Sequence, residues 1–118
     1  MAKPKCPKNL KDCYKQLNKI LSKETKKDIK DTERETPCDL YPMSKYHHGL
    51  GTQLRNNWVL WHGSELAKYF QAMGIQHPDD MSGIILHGYW CYLKKTEYDL
   101  QADIERYQKY WKEMEGNE

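Results

Sequence analysis

SELAKYFQAMGIQHPDDMSGIILHGYWCYLKK, residues 64–95, writes two helices in succession and decides the fold. Ser64 is a residue type that accepts a hydrogen bond from a free backbone N–H at a helix start. Leu66, Tyr69, Phe70 and Met73 then fall on one side at three- and four-residue steps. Gly74 supplies the left-handed position that ends such a helix. His77-Pro78-Asp79-Asp80 opens the second helix, with proline in the first turn and carboxylates at the positive end of the helix dipole. Met81, Ile84, Ile85, Tyr89, Tyr92 and Leu93 carry it to Lys95.

Outward from this stretch the same period continues. Leu100, Ile104, Tyr107, Trp111 and Met114 predict a last helix from Asp99 to Gly116. Upstream, Leu50, Leu54, Trp58 and Trp61 share a face and predict a helix over about 44–61, with Gly49 and Gly51 weakening its first turns. Leu10, Cys13, Tyr14, Leu17, Ile20 and Leu21 predict a helix over 9–21. Ser22 would cap a short, charged helix through Ile29, with little apolar surface to bury. Residues 31–43 hold Pro37 and Pro42 among mixed charges and read as a connecting loop, and residues 1–8 as a flexible start. Nothing alternates with period two, so no sheet is expected. The expectation is an all-α fold, a compact bundle of about five helices in a single domain over residues 1–118.

Composition supports one core. The chain has 118 residues, 38% hydrophobic and 12% aromatic, with nine tyrosines and four tryptophans. Such rings bring large buried areas per residue, and two independent cores would not fit. No apolar run approaches the roughly 18–20 residues that cross a bilayer, and the first residues lack the apolar stretch of a secretory signal, so a cytoplasmic location without membrane insertion is expected. Cys6, Cys13, Cys38 and Cys91 form no C-x-x-C pair; free thiols are the expectation, with a Cys6–Cys13 link open only if Cys6 is not helical.

The net charge of +2 is unevenly placed. Residues 1–36 hold eleven Lys/Arg against six Asp/Glu, a net of +5, and the remainder carries −3. The lysines are mixed with acids and lack interleaved aromatic rings, which suits a solvated helix face better than a nucleic-acid platform.

The middle of the chain carries the chemistry. Arg55-Asn56-Asn57-Trp58, followed by Trp61 and Ser64, combines a planar cation, two amides and two indoles. Arginine offers a fork for phosphate or carboxylate, asparagine reads donor and acceptor edges, and indoles stack, so these types suit a small polar or anionic, nucleotide-like molecule. The plainer reading makes Trp58 and Trp61 core and leaves Arg55 and the asparagines to tie helix ends. An Asn-Asn pair inside a helix lowers propensity and asks for a reason. His77, Asp79, Asp80 and Ser82 could complete the site at a helix start, pair an imidazole with a carboxylate for acid/base work, or simply cap the helix. His47, His48, His62, His77 and His87 lack the H-x-x-x-H spacing of a metal site, and no phosphate loop or nucleophile elbow is present. No cofactor or metal is therefore expected.

One string is distinctive: Leu54-Arg55-Asn56-Asn57-Trp58, Leu60-Trp61, Gly63-Ser64, Leu66, Tyr69-Phe70, Gly74-Ile75, His77 to Ser82 and Ile84-Ile85-Leu86. It resembles the signature of a family of small, uncharacterised bacterial and phage-type domains over about residues 44–93. Val59 stands where that signature would have glycine, and the segment from Thr36 to Pro42 is longer than usual. The resemblance implies no established activity.

Three functions follow as expectations. The leading one is a non-enzymatic protein that captures a polar, nucleotide-type ligand at Arg55, Asn56, Asn57, Trp58, Trp61, Ser64, His77, Asp79, Asp80 and Ser82, which in a phage-type protein could sequester a signalling metabolite. The second is a protein-interaction module, an inhibitor or immunity-type partner anchored by tyrosines and tryptophans. The third is a small hydrolase using His77 with Asp79 or Asp80. A homo-oligomer fits the first two, with Ile104 to Trp111 as the interface.

Overall fold

The structure, a computed structural model, describes residues 7–32, 49–58 and 64–115. Six helices are present there and no strand: α1 (Leu10–Ile20), α2 (Lys23–Asp31), α3 (Leu50–Asn57), α4 (Glu65–Ala72), α5 (Pro78–Lys94) and α6 (Leu100–Glu115). The fold is all-α, with six helices in place of about five. The break between α1 and the short charged α2 lies at Leu21 and Ser22, which turn extended (ψ 141° and 161°), as the Ser22 cap predicts. Asp31 belongs to α2, so the connection expected from residue 31 begins later; its remainder from 33 to 43 lies outside the described residues.

Five of the six described helix starts are written locally. Asn9 accepts from the Asp12 N–H at 3.0 Å, Ser22 from Thr25 at 3.1 Å, Ser64 from Ala67 at 3.2 Å and Asp99 from Ala102 at 3.1 Å. Pro78 occupies the first turn of α5, where its missing N–H costs nothing. Gly74 ends the turn after α4 with φ +91°, a backbone region that a side chain would strain. Lys95 closes α5 in the same left-handed region (φ 58°), and the Thr96 N–H reaches back to the Cys91 carbonyl at 3.0 Å.

α5 is the axis of the molecule, with α1, α2, α3, α4 and α6 all packed on it. Residues Met81 to Cys91 are buried without interruption, so α5 has no solvated face along this length. Tyr92, expected on its apolar face, is instead 44% exposed. Gly88 makes the close approach possible, since a Cβ there would stand 2.1 Å from the Tyr14 hydroxyl. The charged α2 also contributes to the core: Ile29 is fully buried, and Trp90 donates to the Thr32 carbonyl just past its end at 2.8 Å. Cys13 and Cys91 are buried and form no disulfide; Cys6 and Cys38 lie outside the described residues. No described helix is long and apolar enough to cross a membrane.

Candidate ligand-binding site

α3 and the start of α5 meet through Arg55, whose side chain is buried. Its guanidinium donates from Nη1 to Ser82 Oγ at 2.8 Å and from Nη2 to Thr52 Oγ1 at 2.8 Å, and Nε lies 3.3 Å from Asp79 Oδ1. Ser82 in turn donates to the Asp79 carbonyl at 2.9 Å. Three of the expected site residues thus converge, but on one another. The fork is occupied by protein acceptors and clamps α3 to the first turn of α5.

The others separate from it. Ser64 is the N-cap of α4. Asn56 is exposed, and Asn57 and Trp58 turn towards the end of α1. Among the described residues Arg55 and Asn57 therefore face different neighbours, Arg55 the start of α5 and Asn57 the end of α1. The helix expected over 44–61 is described only from Leu50 to Asn57, which puts the Asn-Asn pair in its last turn. There a weak helix former costs little, and this explains the pair without a ligand. Trp61 and the stretches 44–48 and 59–63 lie outside the described residues.

His77 and Asp80 enter a cleft that the sequence pattern did not assemble. It lies between the α4–α5 turn and α6, holds about 230 Å³, and is lined by Gln76, His77, Asp80, Gln108, Trp111 and Lys112 with Gly74, Ile75 and Tyr107 behind them. The His77 imidazole stacks on the Trp111 indole with centroids 3.8 Å apart and planes 21° apart. Trp111 Nε1 donates to Asp80 Oδ2 at 2.8 Å, which fixes the indole against α5. A Cβ on Gly74 would stand 2.2 Å from the Gln108 amide nitrogen, so the amide of Gln108 lies directly over this glycine. The cleft gathers the cation, amide and indole that were sought around Arg55, but supplies them from Lys112, Gln76, Gln108 and Trp111. Lys112 makes no ion pair among the described residues.

The imidazole–carboxylate pair also falls elsewhere than expected. The His77 imidazole has no hydrogen bond to the carboxylate of Asp79 or Asp80. Such a pair forms between α5 and α6, where His87 Nδ1 lies 2.8 Å from Asp103 Oδ2. Tyr98 donates to the same oxygen at 2.5 Å, and Arg106 lies 2.6 Å from Oδ1. Burial alone would raise the Asp103 pKa, but hydrogen bonds from His87 and Tyr98 and the charges of His87 and Arg106 hold it below its ordinary value. The same burial, with the Asp103 charge beside it, drives the Tyr98 phenol upward. An ionised Asp103 only accepts, so His87 Nδ1 carries the proton of this bond. Sequence spacing gave no signal for it, because His87 and Asp103 are sixteen residues apart on different helices. Among the described residues no three His, Cys, Asp or Glu side chains cluster as metal ligands.

A family model described as "Domain of unknown function (DUF6794)" matches residues 6–93. The chain belongs to this DUF6794 family. The match extends the resemblance at 44–93 back through α1 and α2, so those helices are part of the DUF6794 domain. α6 lies beyond the matched residues. No curated protein and no solved structure matches the chain.

Proposed function

We propose that this chain is a small, non-enzymatic binding protein that captures a one-ring polar molecule, such as the base of a nucleoside, in the cleft between the α4–α5 turn and α6. The observation that carries the reading is the His77–Trp111 stack fastened by Asp80. A stack held by its own hydrogen bond is a preformed platform, and His77 is exposed, so its outer face is left for a further ring. The Gln76 and Gln108 amides at the rim suit the donor and acceptor edge of such a ring, and Lys112 suits an attached anion. Size selects the ligand class. At about 230 Å³ the cleft is below the ~300–1,000 Å³ of drug-sized sites, so a base fits while a sugar or phosphate stays outside beside Lys112.

A panel of nucleobases, nucleosides and nucleotides tested by thermal shift checks this. A ligand at 100 times its Kd stabilises by about 2.7 kcal/mol, a visible rise in Tm. His77→Ala removes one stacking face and is expected to cost about 1–3 kcal/mol of that affinity. A flat response to the whole panel, or full binding by His77→Ala, would reject the proposal.

A second reading is a protein-interaction module, and it rests on Tyr110 and Met114, which are 51% and 55% exposed on α6 beside Trp111. Large apolar side chains on one exposed helix end suit an anchor in a partner's pocket. Recovery of one stoichiometric protein by the tagged wild-type chain, lost with Tyr110→Ser/Met114→Ser, would favour it over ligand capture.

A further inference from the structure

A second cavity, remote from the His77–Trp111 stack, lies between the end of α1 and α3. It holds about 510 Å³ and is lined, among the described residues, by Gln16, Ile20, Leu21, Leu50, Gln53, Leu54, Asn57 and Trp58. Leu54 and Trp58 are buried and form the floor, while Ile20 is 48% exposed at the rim. Three carboxamides, Gln16, Gln53 and Asn57, stand over that floor, and none has a side-chain hydrogen bond among the described residues. Among the described residues the lining contains no charged side chain, in a chain that is 31% charged. All eight residues fall inside the stretch that matches the family.

From these features we infer a binding site for an uncharged, amphiphilic small molecule, with a ring or short hydrocarbon body and a carbonyl or amide edge. The volume lies within the ~300–1,000 Å³ typical of small-molecule sites. An apolar floor with a few polar groups is the pattern of such sites, since burial supplies affinity and the amides fix orientation. Charge decides the class. Among the described residues an ion entering this groove would find carboxamide dipoles alone in place of its hydration, whereas a neutral amide exchanges bonds with water for bonds to Gln16, Gln53 and Asn57 at little net cost. The occupant therefore differs in chemistry from the polar ligand proposed for the α4–α5 cleft, and neither reading depends on the other.

Three near-isosteric probes separate the possibilities: benzamide is neutral, benzoate anionic and benzamidine cationic. The ¹⁵N-labelled full chain is titrated with each while the side-chain amides of Gln16, Gln53 and Asn57 and the Trp58 indole N–H are followed by NMR. Benzamide is expected to shift these signals saturably at about millimolar concentration, the range for a fragment of this size. Both ions should bind at least about tenfold more weakly. Ile20→Trp, at an exposed rim position, should fill the groove and remove the benzamide shifts with the helical spectrum intact. Gln53→Ala, at an exposed position on α3, should weaken benzamide about fivefold or more and serves if Ile20→Trp perturbs folding. The site is overturned if benzamide fails to saturate these signals by about 10 mM, if it shifts the His77 and Trp111 signals instead, if the ions bind equally well, or if Gln53→Ala leaves its affinity unchanged.

Discussion

Arg55 shows how a single side chain can look functional in sequence and be structural in the fold. Its guanidinium bonds to Ser82 and Thr52 at 2.8 Å each, from two helices, and the side chain is almost wholly buried. Bonds from a charged donor are worth about 1.5–3 kcal/mol each, and the ion pair to Asp79 adds little because Asp79 is 57% exposed and screened. Arg55→Ala is therefore expected to lower unfolding free energy by about 2–4 kcal/mol in urea titration, against the usual point-mutation loss near 1. Arg55→Lys should recover less than half, because one ammonium cannot span both hydroxyls in the geometry of the planar fork. Recovery to wild-type stability by lysine would show that charge alone, and not the fork, holds α3 on α5.

Among the elements, α5 is the one whose surroundings are most demanding. Gly88→Ala would drive a methyl into the Tyr14 hydroxyl and towards the Tyr98 ring, contacts that Tyr14 cannot yield freely because its ring is stacked on Tyr92 with centroids 5.2 Å apart. Overpacking of this kind costs about 1–3 kcal/mol, although alanine by propensity would stabilise a helix by about 1. A net loss of Tm is expected, and an increase would show that α1 can retreat from α5. At the end of the same helix the sign reverses. Lys95 holds a left-handed conformation that glycine adopts without strain, so Lys95→Gly should raise stability by roughly 0.5–1 kcal/mol, read as a higher urea midpoint at unchanged slope.

At the scale of the whole molecule, burial of ionisable groups sets the pH range in which the fold persists. The Asp103 carboxyl sits below its ordinary value of 3.8, so the unfolded chain takes up a proton at higher pH than the folded one. Its contribution is present above about pH 4 and is lost as pH falls through the lower folded value. Acid titration of Asp103→Asn should therefore show a weaker pH dependence below about pH 4 than wild type, from a lower starting stability. The tyrosines act at the other end. Burial pushes Tyr89 up to about 12 and moves Tyr14 and Tyr98 upward as well, so stability is full below the unfolded value near 10 and is lost as pH rises through the folded ones. Tyrosinate absorbance should rise together with loss of helical signal above about pH 10, and early ionisation with helices intact would contradict the packing of these rings.

The division between sequence and tertiary structure follows from the range of the forces involved. Helix starts and stops depend on groups within four residues, so Asn9, Ser22, Ser64, Pro78, Gly74 and Asp99 were readable one by one, and with them the all-α class. The depth of Ile29 was harder to read, because one apolar residue among charges has no period to announce it. The candidate site was legible only as residue types. An Arg, two Asn and a Trp in a row promised a ligand, but helical geometry sends neighbours to different sides, so Arg55 went to α5 and Asn57 to α1. Conversely, His77 meets Trp111 and His87 meets Asp103 only because α6 packs on α5, and no local rule fixes where two helices cross. The sequence by itself determined which segments are helices and which residues are apolar enough to be buried; tertiary packing alone decided which polar groups are consumed in joining helices and which are left facing a cavity.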